Sequence, residues 1–380
     1  MPPSPTDSEI RDRVLPSFEV AAGARVEPLG GGLINETFEI VEPAPGRRLV
    51  LQRVNPIFPA AVHLNIRAVT ARLQEVGLAT PLLIPTREGA PCLELAPTAT
   101  ASVASAPADG TGATAKPGAV WRLMTFVDGL SFDVVGSPAQ ARAAGRLIAR
   151  FHRALDGLAH TFVGMRTGVH DTSRHLQTLA AAATAGARDG HRLMAAVAPL
   201  AAEIAARAAD LPALPSIAPR IGHGDLKFNN VLFAGPAGED RERAVCLIDL
   251  DTVGPQPLAF ELGDAWRSWC NTRGEDEPEA QLDLAVFEAS LDGYLAAFGG
   301  ELPAAERRAL LLGPEWVSLE LAARFAADAV NESYFGWNPA RFAGRGEHNL
   351  VRARGQLSLH RAFVETRPRR ARRLALTQEN

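Results

Sequence analysis

The chain alternates apolar and polar positions in short runs near its start. Val26–Leu29 leads into Gly30–Gly32, Leu33–Ile40 alternates, Gly46 marks a turn, and Arg48–Arg53 alternates again. Residues 14–58 therefore read as strands around a glycine-containing hairpin. The period then changes. Val62, Ile66, Val69, Leu73 and Val76 recur at helical spacing within residues 59–77. Pro91–Leu95 reads as a short strand. Ala96–Gly118, rich in Ala, Thr, Gly and Pro, reads as a flexible insertion. Trp121–Val127 is a further strand, closed by Asp128–Gly129. Beyond it the pattern is mainly helical: Ala139–Leu158, Arg192–Leu211, Leu282–Phe298, Ala304–Val330 and Leu350–Glu365 carry apolar stripes. The basic run Arg367–Arg373 reads as a solvated tail. No internal repeat is evident.

Between the helical segments lies a different grammar. Gly222-His223-Gly224-Asp225-Leu226-Lys227-Phe228-Asn229-Asn230 is a polar, glycine-bearing loop. After it, the apolar strand Ala244–Ile248 ends in Asp249-Leu250-Asp251. This order suits phosphoryl transfer from ATP. A carboxylate (Asp225) beside the attacking hydroxyl serves as base, an amide oxygen five residues on (Asn230) reaches a magnesium ion, and a strand-end carboxylate (Asp249) holds the metal against the phosphates. Such reactions ask the protein mainly for positioning and charge neutralisation. Asp251 would share a face with Asp249 if the strand continued, as a supporting group.

Composition narrows the setting. The chain has 380 residues, 47% hydrophobic, enough for two substantial cores. A net charge of −4 gives no nucleic-acid footprint. The three cysteines, Cys92, Cys246 and Cys270, lack metal-ligand spacing and fit a reducing cytoplasm. Met1–Arg13 shows no apolar signal core, and no uncharged run reaches a membrane span, so no membrane partner is expected. Only two lysines, Lys116 and Lys227, stand against 37 arginines. A GC-rich coding bias accounts for that ratio, and it makes the lysine inside the polar loop informative.

His-Gly-Asp-x-x-x-x-Asn followed by Ile-Asp-x-Asp resembles the core of the aminoglycoside phosphotransferase and choline kinase superfamily. That resemblance implies an α+β, protein-kinase-like two-lobe fold, with a small β-rich N-lobe over residues 1–129, a larger helical C-lobe over 130–380, and the nucleotide in the cleft. It implies ATP and Mg2+ as cofactors. In the superfamily Asp249 corresponds to the Asp of Asp-Phe-Gly. The segment ending at Thr125–Val127 corresponds to the hinge, whose backbone meets the adenine. Within the superfamily, Gly32-Leu33-Ile34-Asn35-Glu36-Thr37-Phe38, Leu51-Gln52-Arg53-Val54-Asn55, Leu262-Gly263-Asp264-Ala265-Trp266-Arg267, Glu320–Asp328 with Tyr334-Phe335, and Asn349-Leu350 with Arg352-Ala353-Arg354 resemble the N-acetylhexosamine 1-kinase type of sugar kinase.

By that resemblance Asp225 is the base, and Asn230 and Asp249 hold the metal. Gly31, Gly32, Asn35, Thr37, Arg53, Thr125 and Val127 meet the nucleotide, while Lys227, Arg324, Asp328 and Tyr334 face the acceptor. The usual phosphate-binding lysine is absent, and Gln52 or Arg53 stands there. Asp264 reads as a buried carboxylate that accepts hydrogen bonds from the catalytic-loop backbone. The acceptor expected is a sugar, phosphorylated at its anomeric hydroxyl. Two other readings stand beside it. An aminoglycoside, choline or homoserine type of kinase would use Glu275, Asp276, Glu277 and Glu279 to line a cleft for a cationic acceptor. A pseudokinase would bind nucleotide without catalysis. The sequence sets no oligomeric state.

Overall fold

The computed structural model describes residues 5–30, 35–44, 46–96 and 118–376. They form two compact units. The first takes the chain up to Asp128 together with Gly157–Met165, and the second comprises Gly129–Asp156 and Arg166 onward.

In the first unit a short helix α1 (Asp7–Glu9) runs into tight helical turns over Ile10–Ser17. The strands begin only at Arg25, later than the residue 14 that alternation suggested, because Ile10, Val14 and Phe18 recur at helical spacing and are fully buried. Strands β1 (Arg25–Pro28), β2 (Glu36–Val41) and β3 (Arg48–Val54) precede helix α2 (Val62–Glu75) and strands β4 (Leu83–Ile84), β5 (Leu93–Leu95) and β6 (Ala119–Thr125). The sheet is antiparallel in the order β1-β2-β3-β6-β4, with β5 also on β6.

Period-two alternation sorts the two faces of that sheet. Ile40, Leu49, Leu51, Trp121 and Leu123 pack against Ile10, Val14 and Phe18. Burying one such side chain contributes about 1.5–3 kcal/mol. On the other face, register places Thr37, Gln52 and Arg122 side by side across three strands. Gln52 donates to Thr37 Oγ1 (3.0 Å) and accepts from Arg122 Nε (2.8 Å). The sequence reading put 157–165 with the helical part. Asn65 on α2 instead holds that segment to the first unit, bonding His160 and both backbone groups of Val163 at 2.7–3.0 Å. The insertion read at 96–118 lies almost wholly outside the described residues.

The second unit is helical. Helices α3 (Pro138–Leu155), α4 (Thr172–Arg188) and α5 (Met194–Asp210) come first. Ser137 caps α3 by accepting from Gln140 N, with Pro138 at the first helical position. Then follow β7 (Arg220–Gly222), β8 (Val231–Phe233), α6 (Gly238–Arg241), β9 (Ala244–Leu247) and β10 (Gly254–Gln256) as two small antiparallel pairs, β7 with β10 and β8 with β9. Helices α7 (Leu258–Trp269), α8 (Leu284–Phe298), α9 (Ala304–Asn331) and α10 (Arg345–Arg373) complete the unit. Helix α9 is buried nearly all round, and its Leu319, Ala322, Ala323, Phe325 and Ala326 pack among residues of α4, α5 and α10.

Besides the short α1 and α6, two long helices escape the sequence reading. Helix α4 buries only Thr172, Leu179, Ala182 and Gly186, too little for a clear stripe. Helix α7 is so evenly buried that its polar face is short. The basic tail is solvated only in part: Arg369, Arg372 and Arg373 are exposed, and Arg367 and Arg370 turn inward. Arg367–Arg373 continues α10, because Glu315, wholly buried on α9, draws both Arg367 and the wholly buried Arg370. Arg370 also donates to the carbonyls of Leu311 and Phe363. Glu315→Ala would strand two cations, one of them out of water. We expect it to cost about 3–5 kcal/mol in urea unfolding, whereas Glu365→Ala should leave the midpoint nearly unchanged.

Candidate active site

The His-Gly-Asp turn follows β7, and its shape comes from what surrounds it. Gly224 has φ +80°, and a Cβ there would sit 2.7 Å from the Thr252 carbonyl oxygen. Only glycine fits both the left-handed backbone and the close approach. His223 is wholly buried. Its Nδ1 accepts from Asp225 N (3.3 Å), so its proton lies on Nε2, which donates to the Ile248 carbonyl (2.8 Å). One imidazole thereby ties the loop bearing Asp225 to the residue preceding Asp249. Thr252 Oγ1 donates to the His223 carbonyl (2.8 Å), a further tie between the same segments.

Beneath the turn lies Glu261 of α7, a residue the sequence reading passed over. Its Oε1 accepts from His223 N (2.7 Å) and its Oε2 from Gly224 N (2.9 Å). His152 of α3 approaches Oε1 at 3.3 Å. Burial alone would raise the pKa of Glu261, but His152 and the His223 N–H outweigh it and hold the carboxyl below its ordinary range. This is the loop-holding role expected of Asp264. Asp264 instead pairs with Arg267 (2.8 Å) and lies close enough to Lys227 for their charges to interact. The signal available in the sequence was an acid amid apolar residues, Leu258-Ala259-Phe260-Glu261-Leu262.

Asn230 sits at the end of a helical turn, Phe228–Asn230. Its Nδ2 donates to the Asp225 carbonyl (2.8 Å). The amide is thereby oriented, and Oδ1 is the atom left to meet a ligand. Ile248 N donates to the Asn230 carbonyl (3.0 Å), so Asn230 and Asp249 are also held at adjacent positions. The strand stops at Leu247, and Asp249 adopts left-handed backbone at φ 65°, a conformation Asp tolerates better than most residues. Asp251 then falls in a helical turn, Leu250–Thr252, not on a continued strand as expected, and it is buried while Asp249 is half-exposed. Two oxygen donors, Asn230 and Asp249, suit magnesium, which takes few protein ligands and leaves the rest to phosphate and water.

Lys227 turns to Asp225, with Nζ 3.1 Å from Oδ2. Burial works against its charge, but Asp225 and Asp264 outweigh that and hold its pKa above the ordinary lysine value. A persistent cation therefore sits on the carboxylate that would receive the acceptor's proton.

A second cluster forms on α9 and the chain after it. His170 bonds Glu320 (3.1 Å) and stacks on Phe260, with ring centroids 4.4 Å apart. Arg324 lies over the rings of Tyr334 and Phe335. Tyr334 is exposed, and Asp328 is not. The Asp328 carboxylate accepts from the backbone N–H groups of Ser333, Tyr334 and Phe335 and from Asn349 Nδ2, all at 2.8–2.9 Å. These contacts commit it to shaping the loop that carries Tyr334, beside which it was expected to meet an acceptor.

In the first unit, Gly31 and Gly32 lie outside the described residues. Asn35 accepts from Asn55 N (2.9 Å), joining the start of β2 to the end of β3. Thr37 receives Gln52. Arg53 pairs with Glu36 directly opposite on β2 (3.2 Å) and shares the face of Leu49 and Leu51. The buried cation on the Gln52 face is Arg122, which the sequence reading missed; its signal was a charge within an apolar strand. Thr125 exchanges hydrogen bonds with Leu82 through its N–H and Oγ1.

A model of the phosphotransferase enzyme family matches residues 25–311. Among solved structures, the chain resembles a microcompartment-associated aminopropanol kinase at 17% identity, covering 95% of this chain and 98% of that one, with a TM-score of 0.58. It resembles an amicoumacin kinase solved with AMP-PNP and Ca2+ at 11% identity, 94% of each chain and a TM-score of 0.60. An aminoglycoside phosphotransferase from Alicyclobacillus acidocaldarius gives 18% identity, 93% and 94% coverage and a TM-score of 0.55. At these identities the likeness gives the fold, which is kinase-like, with an antiparallel sheet followed by a helical body. No helix among the described residues is long and apolar enough to cross a membrane.

Because Glu261 alone receives both N–H groups at the head of the turn, its removal should loosen Asp225. We expect Glu261→Ala to lower kcat by about a hundredfold, the scale of a small misplacement of a reacting group. Asp264→Asn should leave the loop in place, and amide exchange at His223 and Gly224 should accelerate only in the Glu261 variant.

Proposed function

The chain belongs to the phosphotransferase enzyme family, and we propose that it moves the γ-phosphoryl group of ATP, with magnesium, to a sugar hydroxyl. The favoured position is the anomeric hydroxyl of an N-acetylhexosamine or a related sugar, giving a sugar 1-phosphate. Asp225 orients that hydroxyl and accepts its proton late, as bond formation to phosphorus acidifies it. An anomeric hydroxyl is more acidic than its neighbours on the ring, so a carboxylate suffices. Asn230 and Asp249 hold magnesium, which neutralises phosphate charge. Lys227 balances the Asp225 carboxylate and presents ammonium protons to the acceptor. The backbone at Thr125–Val127 meets the adenine. Thr37, Asn35, Gly31 and Gly32 belong to the phosphate-covering side, and Arg122 is the cation on the face of Thr37; Arg53, also expected at the nucleotide, lies on the opposite face, paired with Glu36.

The observation that carries the acceptor class is the state of the acidic run. A cationic acceptor would need Glu275, Asp276, Glu277 and Glu279 free. Each is held instead: Glu275 by Arg267 (3.1 Å), Asp276 by Arg352 and His348 (2.8 Å each), Glu277 by Arg341 (2.9 Å) and Glu279 by Arg273 (3.3 Å). Lys227 and Arg324 would repel an ammonium group. A neutral or anionic polyhydroxy compound suits these surroundings better than an aminoglycoside or choline.

The deciding experiment is a panel of sugars, aminoglycosides and choline with ATP and magnesium, scored by ADP release, with the phosphate position assigned by NMR. Turnover of the cationic compounds alone would end the sugar reading. Two substitutions test the roles. Asp225→Asn should lose nearly all turnover yet bind nucleotide as before; near-normal turnover would remove it as the base. Asp249→Ala should abolish magnesium-dependent ATP binding in calorimetry, with Asp251→Ala milder; the reverse order would move the metal ligand two residues along.

A further inference from the structure

The arginines beside the acidic run each hold a carboxylate. Arg166 and Arg324 do not: among the described residues neither forms an ion pair, and both turn to one phenol. Arg166 Nη2 donates to Tyr334 Oη (3.0 Å), and the Arg324 guanidinium carbon lies 5.8 Å from the centre of the same ring. Partial burial pushes the phenol's pKa up. The hydrogen bond and charge of Arg166, with Arg324 behind it, outweigh that and hold it below the ordinary tyrosine value. Tyr334 remains 58% exposed, so the cluster opens to solvent.

Nearby negative charge does not use up these donors. Glu320 and Asp328 stand one turn either side of Arg324 on α9. Glu320 accepts from Thr172 Oγ1 (2.7 Å) and meets His170. Asp328 is filled by backbone N–H groups and Asn349. Two guanidiniums thus keep most of their N–H groups free around an exposed hydroxyl. Such a pair suits the paired oxygens of a carboxylate or phosphate, which accept two parallel N–H bonds from one guanidinium.

The position relative to the reacting residues follows from two segments running side by side. Residues 166–172 and helix α9 meet first at His170–Glu320, then at Arg166–Tyr334–Arg324. The first level adjoins the catalytic loop, since His170 stacks on Phe260, the neighbour of the Glu261 that holds the His223–Gly224 turn. The second level is one helical turn further, about 6 Å along α9.

We propose that Arg166, Arg324 and Tyr334 form an oxyanion subsite, and that the acceptor is an acidic sugar whose carboxylate or phosphate lies remote from the phosphorylated hydroxyl. The proposal rests on the sugar-kinase reading above. The test uses matched acceptors with the same anomeric centre: glucose against glucuronate, and N-acetylglucosamine against its 6-phosphate. We expect one acidic member to exceed its neutral partner at least tenfold in kcat/KM, and which pair responds tells carboxylate from phosphate. Arg166→Met should reduce that acid's kcat/KM by roughly ten- to a hundredfold, the scale of one charged hydrogen bond, and bring the acid-to-neutral ratio towards one. Arg166 is exposed, so this variant is the one expected to fold if Arg324→Met does not. Equal or better use of both neutral sugars overturns the subsite and leaves the sugar kinase standing. If none of the four is phosphorylated while a cationic compound of the panel above is, the sugar reading falls, and calorimetry judges the subsite separately. Glucuronate or the 6-phosphate binding at least tenfold more weakly to Arg166→Met supports it; equal binding, or none to either protein, overturns it.

Discussion

Glu261 receives the backbone N–H groups of His223 and Gly224 at a place from which water is excluded. A buried carboxylate costs several kcal/mol to desolvate unless its lone pairs are met, and here two backbone donors and His152 meet them. The consequence runs both ways. The turn cannot leave without uncovering a charge, and the helix bearing Glu261 cannot shift without dropping the turn. From this anchor the other constraints follow in order. Gly224 must be glycine because its backbone is left-handed and a Cβ there would sit 2.7 Å from the Thr252 carbonyl oxygen. His223 must carry its proton on Nε2 because the Asp225 N–H occupies Nδ1, and that proton fastens the Asp249 segment. Asn230 must present its oxygen because its amide nitrogen is spent on the Asp225 carbonyl.

Charge is distributed in this chain by pairing rather than by type. An arginine-rich, lysine-poor composition yields guanidiniums that hold carboxylates in ion pairs. The buried Arg370–Glu315 contact and the set around Glu275–Glu279 both show it. An acidic sequence run is therefore no guide to an acidic surface. What distinguishes a candidate binding residue is a charge that remains available once these pairs are formed, and Lys227 pairs with Asp225, the candidate base, instead of with a carboxylate that braces a helix.

The grouping of the candidate site was legible because it is local. His223 through Asn230 lie within one loop, Asp249 ends an apolar run, and the structure ties the two segments through His223 and Asn230. The long helices were legible for the same reason, since α3, α8 and α9 carry sustained apolar stripes. What escaped depends on partners distant in the chain. Glu261 earns its role from a loop 37 residues earlier. The loop that Asp328 braces shows only once its donors are known. The inward turn of Arg367 and Arg370 shows only once Glu315, more than 50 residues upstream, is seen to be buried and in need of cations. Arg166 lies in irregular chain with no period to mark it.

Helix α9 shows how one element serves both stability and recognition. Almost all of it is buried, and apolar residues dominate, yet Glu320, Arg324 and Asp328 recur at intervals of four along one face. Charges on a buried helix are tolerated only if each is answered. Glu320 is answered by His170 and Thr172, and Asp328 by the loop it folds around itself. Among the described residues Arg324, between them, meets two aromatic rings and the Tyr334 phenol. Glu320 and Asp328, one turn to either side, are spent on other donors, so most of its N–H groups stay uncommitted. A helix core that neutralises a cation without consuming its donors holds that cation rigid and ready, which is the condition for selecting an acceptor by hydrogen-bond geometry rather than by charge alone.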